Sequence, residues 1–164
     1  NTHELVRHKY HTAVSQRSTR YVDESGSDWA WHPSMLEPYE REVEDVHPSL
    51  HDMHEYAVEC YSEWRDFLEK RLIAKGIDKF TARKQARGAA RGALGNALST
   101  ELIWSASLDE IKRVISQRAS EHADAEIRLW ANQLWEIVEP LYPEYFKATT
   151  KPCPDGIGFS VYFV

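Results

Sequence analysis

Apolar residues along this chain recur mostly at helical spacing. Met53, Ala57, Cys60, Trp64, Phe67 and Leu72 fall three to five residues apart and predict one face of a long helix. Ser49, with Asp52 three residues later, has the form of a capping box, and Gly76 supplies a stop. Asp78 predicts the cap of a shorter helix reaching about Arg91, where Gly92 and Gly95 interrupt. Residues 96–104 fit neither the helical nor the strand period. Ser107 with Glu110 is a second capping-box pattern. The longest helix should follow it, from Leu108 to about Val138, ending before Pro140 and Pro143. Phe159–Val164 alternates weakly and is β-prone. Residues 1–22 are basic, with strand-forming residues at both ends. Residues 23–49 are broken by Gly26, Pro33, Pro38 and Pro48, and predict a loop with a short helix around Leu36–Val43.

Composition narrows the class. With 164 residues, 42% hydrophobic, six Trp and eight Tyr, the chain has material for one compact domain. A net charge of -6 disfavours loose binding to nucleic-acid polymers or membrane surfaces, although a local arginine cluster can still hold a phosphate. Cys60 and Cys153 match no metal or redox spacing, and predict reduced thiols in a cytoplasmic protein. No apolar run approaches membrane-spanning length, and no signal peptide is visible. The chain begins at Asn1 without Met, which fits processing, trimming or a missing N-terminal part.

The predicted long helix contains an anomaly. Ile111, Ile115, Ala125 and Leu129 form a stripe, and continuing its spacing gives Arg118 and His122. A guanidinium on a buried face needs a partner. Two readings remain open: an internal carboxylate, or a ligand anion. Arg7, His8, Lys9, His11, Arg17 and Arg20 form a second basic group, suited to phosphate or to a solvated arm. Arg83, Lys84, Arg87 and Arg91 lie at helical spacing and by themselves predict an exposed helix face. Other chemistries fall away. His47, His51 and Glu55 lack a further metal ligand, His8 and His11 are equally weak, and no metal site is expected. Gly88, Gly92 and Gly95 follow no predicted strand, and no serine sits in a nucleophile elbow.

Two segments together resemble the flavin-dependent thymidylate synthases (ThyX). Arg7-His8-Lys9 stands where that family has Arg-His-Arg, followed by Ser15-Gln16-Arg17-Ser18-Thr19-Arg20-Tyr21. Ala90-Arg91, Thr100, Trp104 and the run Gln117-Arg118-Ala119-Ser120-Glu121-His122-Ala123-Asp124-Ala125-Glu126-Ile127 match its second half in order and spacing. The resemblance implies a helix-rich α/β subunit with a small sheet, assembled as a homotetramer with shared active sites. It implies a single family-like domain over residues 1–164, lacking most of the usual N-terminal part. The activity implied is C5-methylation of a uracil nucleotide with FAD, methylenetetrahydrofolate and NADPH.

By the same resemblance, Arg118 binds the uracil ring and promotes catalysis. Arg7, Gln16, Ser18, Arg20 and Arg91 bind nucleotide. Arg7, His8, Lys9, Gln16 and His122 meet the flavin. Ser107 and Asp109 replace a flavin-gripping Asn-x-Arg, with Ser107 the remaining cofactor-side candidate, and Arg113 replaces a later Asn or His. These departures leave two alternatives to a dUMP methylase: a UMP C5-methylase of a nucleoside-antibiotic pathway of the polyoxin type, or an inactive nucleotide-binding relative.

Overall fold

The computed structural model describes residues 2–36 and 48–164. These fall into two compact units: 2–15, 32–36 and 103–164 in the first, and 16–31 and 48–102 in the second. The architecture is helix-rich with two small two-stranded sheets. No described helix is long and apolar enough to cross a membrane.

The first unit opens with α1 (Thr2–Leu5), whereas the sequence suggested strand at this end; the strand begins only at Thr12. β1 (Thr12–Gln16) pairs with β2 (Leu102–Ala106), a strand that begins in the ambiguous stretch and runs two residues past it. α2 (Pro33–Leu36) precedes residues 37–47; the rest of the helix expected around Leu36–Val43 lies outside the described residues, as does His47. α5 (Leu108–Arg118) starts as expected, with the Ser107 hydroxyl accepting from the Glu110 amide.

The single long helix does not form. The chain leaves helical geometry at Ala119 (φ -87, ψ 57) and resumes as α6 (Ala125–Val138), capped by Asp124. The Ala119 carbonyl accepts instead from the Val161 amide at 3.0 Å. Tertiary strand contact and a local Asx cap therefore override the continuous apolar period. After α6 come α7 (Pro143–Phe146), β3 (Ala148–Pro152) and β4 (Phe159–Phe163), the β-prone tail. β3 and β4 are antiparallel, Ala148 facing Phe163 and Pro152 facing Phe159. Ile115, Ala119, Ala131, Val138, Phe146 and Val161 form the core between α5, α6 and this hairpin. Each large side chain buried there contributes roughly 1.5–3 kcal/mol. Arg128, buried on α6, forks onto Asp155 at 2.7 and 2.8 Å and ties the hairpin loop to the helix.

The second unit is built on α3 (Pro48–Ala74) and α4 (Lys79–Ala90). α3 starts at Pro48, so Ser49 is already helical and is not its N-cap. Proline suits the first turn because its missing N–H would have no intrahelical partner. The chain turns at Gly76, whose φ of 85 favours glycine, and Asp78 caps α4 by accepting from Thr81. A 3₁₀ turn follows at Arg91–Ala93. The expected stripe of α3 is not core in this chain: Met53, Trp64 and Phe67 are 48%, 55% and 53% exposed, while Tyr61 is fully buried.

Candidate functional site

Of the ten residues singled out by sequence, six belong to the first unit and four to the second. In the first, the end of α5 delivers Arg118 to the chain that follows α1. Arg118 Nε donates to His8 Nε2 at 3.0 Å, and Nη1 donates to Glu4 Oε1 at 2.9 Å. Nη2 reaches the Glu4 carbonyl at 3.4 Å. Arg118 is thus half-buried with an internal carboxylate, one of the two partners that its sequence position left open.

His8 is buried between charges. Desolvation first, then Arg118 and Arg113, push its pKa below the usual 6.5, against the opposing pull of Glu110 and Glu4. A neutral ring accepting at Nε2 carries its proton on Nδ1, which lies 3.4 Å from Arg113 Nη2 and 3.8 Å from Glu110 Oε1. Glu110 is itself buried and held by Arg113 Nε at 2.7 Å, a hydrogen bond that leads the lowering of its pKa. The result is a fixed guanidinium, backed by a neutral imidazole, with further N–H groups on Nη1 and Nη2. Such a donor suits an oxygen on which negative charge develops.

The other candidates of this unit lie differently. Arg7 and Lys9 are exposed, with no carboxylate partner among the described residues. His122 is not one helical turn from Arg118 on a buried face, as the stripe implied. The break at Ala119 carries it into the link before α6, where its side chain is 88% exposed. The Ser107 hydroxyl caps α5.

In the second unit the turn Ser18–Tyr21 closes through amide bonds from Tyr21 and Val22 to the Ser18 carbonyl. Arg20 from this turn and Lys84, Gln85, Gly88 and Arg91 of α4 and the following turn line a cleft of about 420 Å³. Arg91 Nη1 donates to Thr19 Oγ1 at 3.2 Å, and Lys84 sits 4.8 Å from the Tyr21 ring centroid. Arg17, Arg65, Arg83 and Arg87 each face a carboxylate. Arg20, Lys84 and Arg91 have none among the described residues. Three like charges lining one cleft without a counter-charge are an arrangement that could accept an anion. Gln16 is exposed and reaches Thr100 Oγ1 at 3.4 Å. Sequence reasoning took Lys84 for a solvated helix residue; its spacing of seven from Arg91, two turns along one helix face, was the available signal. It also did not foresee the pairing of Glu4 with Arg118, onto which α1 brings it back.

The family model described as thymidylate synthase complementing protein (Thy1) matches residues 1–144. Flavin-dependent thymidylate synthases of Mycobacterium tuberculosis and Mycobacterium bovis are 37% identical over 148 residues, covering 88% of this chain and 55% of theirs. The Mycolicibacterium gilvum enzyme is 34% identical over 149 residues. The chain therefore belongs to the ThyX family, and it spans about half the length of the curated relatives it matches. A solved ThyX from Helicobacter pylori, described as complexed with FAD and dUMP, shares the fold with a TM-score of 0.55 at 18% identity, covering 89% of this chain and 65% of that one.

Proposed function

We propose that this chain carries the nucleotide-binding and catalytic residues of a flavin-dependent enzyme that methylates C5 of dUMP, using methylenetetrahydrofolate and NADPH in the cytoplasm. The observation that carries this reading is the uncompensated trio Arg20, Lys84 and Arg91 in a protein of net charge -6. An acidic protein that leaves three cations facing one cleft has a standing site for a phosphate group. Ser18 and Thr19 belong to the turn that carries Arg20, their hydroxyls accepting from the Arg20 amide and from Arg91. Arg118, the proposed catalytic residue, would stabilise negative charge building on the uracil ring.

The residues for FAD fit in part. Arg7 and Lys9 are open cations suited to its phosphates, and His122 is exposed beside Glu121 with a ring face that could meet a flat ring, whereas the Ser107 hydroxyl is engaged in capping α5. Gln16, His8 and Arg7 complete the proposed contacts. When bound, FAD supplies the redox chemistry; the protein orients the nucleotide and holds the charge.

A homotetramer with shared sites belongs to the same proposal. Supporting it, α3 displays Met53, Tyr56, Trp64 and Phe67 outward, an apolar surface suited to burial against another copy. A second reading, an inactive nucleotide-binding relative, is favoured by the Glu4–Arg118 ion pair, which already answers the charge of the catalytic candidate.

Absorbance titration with FAD and product analysis with dUMP and UMP, each with methylenetetrahydrofolate and NADPH, separate these. A flavin spectrum with methylated product from dUMP supports the enzyme. Nucleotide binding with neither flavin nor product supports the inactive relative, and absence of all three removes both.

A further inference from the structure

The cleft of the second unit needs Arg20 held toward two other cations, and the turn Ser18–Tyr21 itself supplies only its closing bonds to Ser18 and the Thr19 hydroxyl that accepts from Arg91. Like charges repel, so a free turn would swing Arg20 away from Lys84 and Arg91. The residues just behind the turn supply the restraint. Asp23 takes Arg65 Nη1 on both carboxylate oxygens, at 2.7 and 2.8 Å, and Arg87 Nη2 at 3.4 Å. Arg87 Nη1 also donates to the Tyr21 carbonyl at 2.6 Å. Behind that, Glu24, 1% exposed, accepts from Arg17 Nη2 at 2.8 Å, and its amide donates to the Tyr61 hydroxyl at 3.3 Å. Ser27 completes the grip on the same Glu24 oxygen.

Arg87 has a distinct place in this set. It lies on α4 between Lys84 and Arg91, three residues after one and four before the other. Lys84 and Arg91 line the cleft, while Arg87 turns to the backbone of the loop that carries Arg20. α4 and the 3₁₀ turn that directly follows it therefore provide two of the binding cations, Lys84 and Arg91, and also the tether for the third. Asp23 holds the Arg87 fork in place and offsets its charge.

We infer that Asp23 and Arg87 are positioning residues of the anion cleft, locking the Ser18–Tyr21 turn so that Arg20, Lys84 and Arg91 are pre-set for one phosphate group. The ordering cost is met on folding rather than on binding, so the lock acts on affinity for the phosphate end of a ligand. This rests on the reading of the cleft as a phosphate site.

The test is calorimetry on the full chain with inorganic phosphate and with dUMP, comparing wild type, Asp23→Asn and Arg87→Lys. Both variants should bind each ligand about tenfold more weakly, since the prearranged geometry is lost. In turnover assays KM for nucleotide should rise while kcat holds, and FAD titration should be unchanged; a general loosening of the protein would shift all three. Arg87→Lys keeps the charge and the helix, but one ammonium cannot reproduce the fork between the Tyr21 carbonyl and Asp23, so it carries the test if Asp23→Asn does not fold. Wild-type affinity in Arg87→Lys overturns the inference alone. A wild-type protein that binds neither ligand overturns the cleft reading together with it.

Discussion

In the second unit Arg20, Lys84 and Arg91 face a cleft without a carboxylate among the described residues, while in the first Arg118 is gripped by Glu4 and His8. The two arrangements suit different tasks. An uncompensated cluster attracts a ligand that arrives charged, as a phosphate does. A compensated guanidinium has little long-range pull, yet its N–H groups are held in fixed directions. That suits an oxygen whose charge appears only during reaction, where a preset donor needs no reorganisation. Binding strength and rate enhancement should therefore separate between the two places.

The largest expected effect breaks the comparison if it fails. Arg118→Ala should cut turnover by about 10²–10³-fold, typical of losing a preset donor, while nucleotide affinity changes only a few-fold. Steady-state kinetics beside calorimetry reads both, and a loss confined to affinity would make Arg118 one more phosphate ligand. Arg91→Ala should act in the opposite sense. Removing one charge-assisted contact of about 1.5–3 kcal/mol weakens nucleotide binding by about tenfold or more, with kcat nearly kept and the salt dependence of binding reduced.

A pH profile sharpens the distinction. Folding holds the His8 pKa below 6.5, chiefly by desolvation and the Arg118 charge. Its contribution to stability is complete above the unfolded value and falls as pH drops through it, since the unfolded chain takes up the proton first. Once the folded ring is protonated at still lower pH, Nε2 can no longer accept from Arg118. The acid limb of kcat should therefore lie below pH 6.5, with binding to the second-unit cleft unaffected by this group. Asp155 offers an internal contrast. Its hydrogen bond from Arg128 lowers its pKa from 3.8 to about 2, so the stability from that pairing is present above 3.8 and is lost as pH falls through about 2. Asp155→Asn should flatten thermal stability in that lower window and leave the acid limb of kcat in place. The smallest effect is expected from Glu4→Gln. It retains a hydrogen-bond acceptor but removes the counter-charge, so nucleotide should bind a few-fold more tightly. An unchanged affinity would show that the Glu4 charge does not reach the ligand.

Local signals in the sequence were read correctly where their cause is local. Ser107 caps α5, Asp78 caps α4 and Gly76 ends the turn after α3, because each effect involves a side chain or a φ angle within a few residues. Apolar period was less reliable. Ile111, Ile115, Ala125 and Leu129 are all buried or half-buried, but a strand bond to Ala119 and the Asp124 cap split the helix that was to carry them, and His122 left the buried face. The stripe of α3 marked a helix correctly and its surroundings incorrectly, since periodicity reports which residues share a face and not what covers it.

The amino-acid order by itself determined α4, the start of α5, the family motifs and the demand that Arg118 find a partner, since a half-buried guanidinium must be answered wherever the chain folds. It could not say by what. Glu4 lies 114 positions away from Arg118, and the Asp23–Arg87 tether spans 64. Only tertiary structure brings such groups within 3–4 Å, and at that range Coulomb and hydrogen-bond energies decide which cations are balanced and which stay open.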